Sequence, residues 1–222
     1  MASTTYPPAG PAANPGVAIP GPRAWPGARA ATTPKMAATQ TGMWVCVCAI
    51  FMSFAAFVSA LVVREGSSTD WQHLELPRVL YFNTLVLMAS SYTLEECRRR
   101  FAIATRPDTE TGGAARVSPL PWLYVTIMLG GVFVTGQCLA WRTLAAHGFY
   151  LATNPSSSFF YVLTAMHGLH LLGGIAGLIY MARRLARSVT STQASALSAA
   201  AVYWHFMGLL WIFLFLVMAI RL

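Results

Sequence analysis

The sequence predicts an all-α, polytopic membrane protein built as a five-helix bundle, and three observations carry that expectation. Of the 222 residues, 56% are hydrophobic and only 10% charged, with a mean hydropathy of +0.54, a balance foreign to an ordinary soluble domain. The apolar residues gather into five runs, at about 43–63, 79–97, 121–143, 157–182 and 197–219. Each comes close to the roughly 20 residues that a helix rising 1.5 Å per residue needs to cross a hydrocarbon core. The basic residues, finally, are sorted between alternate connections.

Eleven of the 15 Lys and Arg fall on one side of such a bundle: Arg23, Arg29 and Lys35 in the N-terminal tail, Arg98, Arg99, Arg100, Arg106 and Arg116 in the second connection, and Arg183, Arg184 and Arg187 in the fourth. The other side receives Arg64, Arg78, Arg142 and Arg221. The positive-inside rule then places the N-terminus in the cytoplasm and the C-terminus outside, in the periplasm. The net charge of +8 reads as a topology signal, and no nucleic acid is needed to explain it. Arg98, Arg99, Arg100, Arg183 and Arg184 on the cytoplasmic rim are candidate contacts for phospholipid headgroups or a partner subunit.

Residues 1–41 hold eight of the 13 prolines, are otherwise rich in Ala, Gly and Thr, and are expected to form a disordered cytoplasmic tail that is no secretory signal; residues 42–222 form the membrane domain. In the first span Cys46 and Cys48 stand two apart, on different helical faces, which argues against a metal pair. Together with Cys97 and Cys138 they read as small apolar residues without disulfides. Trp71 and Tyr81 bracket the outer interface, where amphipathic aromatics settle. The second span carries Asn83, Thr84, Ser90, Ser91 and Thr93, which can bond between helices or back to their own carbonyls, and ends in Glu95 and Glu96 beside the arginine run. Pro119 and Pro121 mark the start of the third span, on which Thr126, Gly130, Phe133 and Gln137 share one face. His147 follows in an outer loop.

The fourth span, SSFFYVLTAMHGLHLLGGIAGLIYM from Ser157 to Met181, has no formal charge. His167, His170, Gly174 and Gly177 succeed one another at spacings of three, four and three, so they line one side together with Phe160 and Thr164. Imidazoles at this depth demand a partner helix, and glycines let its backbone approach. With His205 of the fifth span, two readings stay open. His167 and His205 can act as axial ligands of a b-type heme, or the three histidines can hydrogen-bond to each other, to Gln137 or to serines of the second span and fix helix order. Only three histidines lie deep, fewer than paired ligands on facing helices require.

The stretch FFYVLTAMHGLHLLGGIAGL closely resembles the most recognisable helix of subunit III of the heme-copper cytochrome c oxidases. VYWHFMGLLWIFLFLVM resembles that family's terminal helix, with Trp204, His205, Phe206 and Trp211 matching its aromatic and histidine positions. GMW with FAAFVSALVVR, and LGGVFVTGQCLAW, are similar to the first and third helices of the five-helix bacterial form. The chain departs from many members at Ala49 and Ile50, where they carry a Ser-Glu pair, so a role for that acid cannot operate here.

The resemblance implies an accessory subunit of a bacterial inner-membrane oxidase that reduces oxygen to water during aerobic respiration. It implies no catalytic residue, cofactor or metal on this chain, with heme and copper in the partner subunits and proton translocation carried out by them. Subunits I and II, cytochrome c as donor, membrane phospholipids and a respiratory supercomplex are the implied partners. On this reading His167, His170, Gly174, Gly177, Trp204, His205 and Gln137 pack helices, while the rim arginines and Trp211 contact lipid or a partner. A helper subunit associated with nitric oxide reductase belongs to the same family and stays open beside it.

Overall fold

The computed structural model describes residues 36–67, 71, 76–105 and 118–222. Among them are five long α-helices and no strand: α1 (Met36–Ser67), α2 (Val79–Ala104), α3 (Leu120–Ala146), α4 (Pro155–Arg187) and α5 (Ala194–Arg221). The expectation of a disordered tail falls, up to residue 35, outside the described residues. Residues 36–41, assigned to that tail, belong to α1. The last proline before the first span is Pro34, and the Met-Ala-Ala that opens the helix consists of strong helix formers, so nothing local stops α1 short of Met36.

Helix starts follow the punctuation of the chain. Pro155 opens α4 behind Asn154, whose side chain accepts the Ser157 amide N–H at 3.4 Å. Pro119 precedes α3 and Pro121 lies in its first turn. A 3-10 turn, Ser191–Gln193, leads into α5 through a capping box between Thr190 and Gln193. The turn after α3 requires Gly148, at φ +84°.

Helices α2, α3, α4 and α5 close a ring, each touching the next and α5 returning to α2; α1 lies along the seam of α4 and α5. Contacts such as Thr93 with Thr126, Trp141 with Thr164 and Tyr203 with His170 set an up-and-down order within the ring. At one end Trp71 Nε1 donates to the Arg221 carbonyl at 3.1 Å, and Arg221 pairs with Glu65 at 3.3 Å, joining the ends of α1 and α5. The other end carries the arginine run of α2.

Four of the helices, α1, α3, α4 and α5, are long and apolar enough to cross a membrane; α2 is long enough but more polar. Its polar residues are turned inward. Asn83, Ser90 and Thr93 are buried, while Tyr81, Phe82, Leu85, Met88 and Tyr92 face out. Between their charged ends the described helices thus present apolar side chains outward and turn most polar ones into the ring, the reverse of a soluble protein's surface.

Candidate functional site

The ring is organised by two tryptophans, two turns apart on α5, each of which reaches all three other helices. Trp204 is wholly buried, and its Nε1 donates to Ser90 Oγ of α2 at 3.1 Å. Its ring lies against two glycines: a Cβ on Gly130 of α3 would come within 2.9 Å of it, and one on Gly174 of α4 within 3.4 Å. Trp211 repeats the arrangement lower down. Its Nε1 donates to Thr84 Oγ1 of α2 at 3.1 Å, while its ring meets Phe133 of α3 edge-on at 4.8 Å and His167 of α4 at 5.0 Å between centroids. A tryptophan combines a large apolar body with one donor, so each side chain fills a gap and pins a hydroxyl with the same group.

His167 is fully buried between those rings, 5.6 Å from Phe133, with Nε2 donating to the Met207 carbonyl of α5 at 3.2 Å. A carbonyl oxygen only accepts, so the ring proton sits on Nε2. His170 is half-buried: Nδ1 bonds the Met166 carbonyl of its own helix at 2.7 Å, the ring packs 5.7 Å from Phe54 of α1, and its carbonyl accepts the Tyr203 hydroxyl at 2.8 Å. His205 faces the other way, toward α2, with Nε2 3.8 Å from Glu95. His167 and His205 therefore point to different faces. None of the three bonds another histidine, Gln137 or a serine of α2; that last partner is taken by Trp204 instead.

Gly174 lies 3.0 Å (from an added Cβ) from the Tyr203 ring, whereas Gly177 is exposed with nothing within 4 Å. Gln137 is 4% exposed, and neither amide atom has a partner. Trp211, expected at a lipid or partner contact, is fully buried, because its donor is drawn inward by Thr84 and its ring by Phe133 and His167. Asn83 and Gly136 complete the core, with Tyr203 packed against it, and the helical pattern of the sequence assigns none of the three to the site. Asn83 with Ser90, and Thr84 with Ser91, each stand two helical turns apart, a signal the sequence carries, whereas Gly136 offers none without its neighbour.

At the arginine end, Glu95 pairs with Arg98 at 2.8 Å and Glu96 with Arg100 at 2.8 Å, and Arg100 stacks 4.9 Å over Trp122 of α3. Arg99 is mostly exposed and only grazes Glu96 at 3.5 Å. Arg98 and Arg99 line a cleft of about 260 Å³ with Leu197 and Ser198 of α5, and Arg183 and Arg184 are exposed. Among the described residues, no three His, Cys, Asp or Glu side chains gather as metal ligands would.

This arrangement joins helices, and the family comparison falls on the same core. The family model for cytochrome c oxidase subunit III matches residues 40–221. The chain belongs to the subunit III family. It is 34% identical over 190 residues to the probable cytochrome c oxidase subunit 3 of Mycobacterium tuberculosis strain ATCC 25618 / H37Rv, covering 83% of this chain and 87% of that one. The cytochrome c oxidase subunit 3 of Corynebacterium diphtheriae is 31% identical over 154 residues, 69% and 68% of the two chains. The cytochrome bo(3) ubiquinol oxidase subunit 3 of Pseudomonas aeruginosa is 29% identical over 184 residues, 81% and 83%. A subunit III chain of a heme-copper oxidase, with helices able to span a membrane, is the coarse identity that follows. The matched range takes in His167, Trp204 and Trp211, the residues through which α2, α3, α4 and α5 are tied together.

Proposed function

We propose that this chain is the non-catalytic subunit III of a bacterial aerobic cytochrome c oxidase, crossing the cytoplasmic membrane five times. The observation that carries the proposal is the family match over residues 40–221, a range that takes in a core whose indole and imidazole groups are engaged in joining helices. The apolar outer face of α2 supports its counting as the fifth span, because the polar groups that lower its hydropathy are buried or hydrogen-bonded. The charge asymmetry of the connections supports a cytoplasmic N-terminus and a periplasmic C-terminus.

On this reading the chain shields one flank of subunit I, binds membrane phospholipid at its arginine rim and supports proton uptake by the complex. Heme and copper reside in the partner subunits; subunit II and cytochrome c complete the electron path, and a supercomplex is compatible with it. Proton support would proceed without the mid-membrane carboxylate of other members, since Ile50 stands there, buried at 6% exposure. Arg99, exposed beside the α2–α5 cleft, is suited to a phosphate or a partner carboxylate.

A second reading has one observation behind it: a relative at 29% identity is named for a ubiquinol oxidase. The relatives at 34% and 31% are named for cytochrome c oxidases, which favours cytochrome c as the donor. Tagging the chain, purifying it gently from native membranes, identifying co-purifying chains by mass spectrometry and recording a reduced-minus-oxidised spectrum tests both. Subunits I and II with oxidase heme bands, oxidising cytochrome c, support the proposal. Oxidation of quinol alone supports the second reading. A lone chain with a b-type band that disappears in His205→Ala would make it an electron carrier, and nitric oxide reductase subunits in the preparation would point to the helper form.

A further inference from the structure

Among the described residues four buried side chains keep polar atoms without a hydrogen-bond partner: Ser156 Oγ in the first turn of α4 and, on three different helices, Asn83 Oδ1 of α2, both amide atoms of Gln137 of α3 and Nδ1 of His167 of α4. Asn83 and His167 are fully buried and Gln137 is 4% exposed. Helix register brings them together. Thr93 meets Thr126, and Asn83 bonds the Phe133 carbonyl while its amide abuts Gly136; continued along the antiparallel pair, that register sets residue 137 beside Asn83. Trp141 meets Thr164, and Gly130 meets Ile175, a common register that sets residue 137 opposite residue 168, next to His167. The ring of Phe133, one turn before Gln137, lies against His167 itself.

Neither neighbour can turn to meet the Gln137 amide. Asn83 is held by the Phe133 carbonyl at 3.4 Å and by the notch at Gly136 that its Oδ1 fills. His167 is held by the Met207 carbonyl and clamped between Phe133 and Trp211. The unmet atoms have a definite chemistry. With its proton on Nε2, a neutral His167 offers a bare lone pair at Nδ1, so Nδ1, Asn83 Oδ1 and Gln137 Oε1 all accept, while Gln137 Nε2 donates. A small group that donates to two of these three acceptors and accepts from Gln137 Nε2 matches them, and it must be smaller than a side chain. Buried polar groups without a direct partner are commonly satisfied by ordered water, which needs two to four polar partners.

We infer that Asn83, Gln137 and His167 hold an internal water molecule at the junction of α2, α3 and α4. The site is a fixed polar node inside a helix ring whose exterior is apolar, and it couples the three helices that α5 ties together from the other side. It does not depend on which electron donor the oxidase uses.

A high-resolution electron cryomicroscopy map of the purified complex tests this with water itself as the probe. The expected result is an isolated density within about 3 Å of the Gln137 amide and of Asn83 Oδ1 or His167 Nδ1, absent from the map of Gln137→Leu. A Gln137 amide bonded directly to Asn83 or His167 with no density between them overturns the inference, as does density that persists unchanged in Gln137→Leu. If Gln137→Leu does not accumulate, the near-isosteric Gln137→Met takes its place, and the wild-type map decides by itself between a bridged and a direct contact.

Discussion

Asn83 of α2 occupies the space where a side chain on Gly136 of α3 would begin: a Cβ added there would overlap its Oδ1, while Nδ2 reaches the Phe133 carbonyl one turn away. An asparagine and a glycine on different helices thus form one joint. Helices in lipid gain nothing from hiding apolar surface, since lipid tails are equally apolar, so such close fits and inter-helix hydrogen bonds carry the association.

Gly136→Ala should therefore destabilise the bundle by about 1–3 kcal/mol, the usual cost of an extra methyl in a packed core. Asn83→Ala in the same chain should recover part of that loss by vacating the space, so the pair should be non-additive. Thermal unfolding of wild type, both single variants and the double variant in one detergent checks it; strict additivity would mean that the two residues do not share a joint.

Neighbouring glycines on α4 should behave differently. Gly174 faces Tyr203 and Trp204, whereas Gly173 has nothing within 4 Å. Gly174→Ala should lower thermal stability, and Gly173→Ala should leave it unchanged or raise it by up to about 1 kcal/mol through helix propensity. The comparison is internal, because the two positions are adjacent and equally deep.

Trp204→Phe keeps most of the aromatic body and removes the donor to Ser90 Oγ. The expected cost is about 0.5–2 kcal/mol, and Ser90→Ala should cost little once Trp204 is already Phe. Trp204→Ala opens a cavity facing Gly130 and Gly174 and should cost about 3–5 kcal/mol, seen as loss of the assembled complex on mild heating.

His167→Leu removes the bond to the Met207 carbonyl and the ring between Phe133 and Trp211. Assembly or thermal stability should fall by about 1–3 kcal/mol while heme content per subunit I stays at the wild-type value. Loss of heme in proportion to the substitution would assign His167 a ligand role.

Topology can be read by labelling. With the exposed native thiols Cys46, Cys48 and Cys138 replaced by alanine, His147→Cys should react with an impermeant reagent added to whole cells and Arg183→Cys only after the membrane is opened. The reverse pattern would invert the orientation inferred from the eleven basic residues on one side.

The five helices were legible because each is a mostly apolar run, interrupted in α2 by inward-turned polar residues, and each is bounded by prolines, glycines or charges, signals that are all local. The observed helices begin near the expected positions and overrun the spans, since a helix does not end where the membrane does; α2 continues through Arg98, Arg99 and Arg100 to Ala104. His167, Trp204 and Gln137 also stand out in the sequence, because polar groups in apolar runs are costly unless another helix meets them. Their partners do not. Periodicity names the face of a helix but not which of four other helices it meets, nor at what register.

Sequence alone therefore determined the class of the molecule, its helices, its charge asymmetry and its family wording, all properties written within single segments. Only the tertiary structure decided that His167 bonds a carbonyl and no other histidine, that Ser90 belongs to Trp204, that Trp211 lies inside, and that Gly136 exists for Asn83. The physical reason is that these are relations between helices, set by which side chains can interlock at van der Waals distance. A chain records the two halves of each joint far apart, 53 residues for Asn83 and Gly136 and 114 for Ser90 and Trp204, and only folding brings them into register.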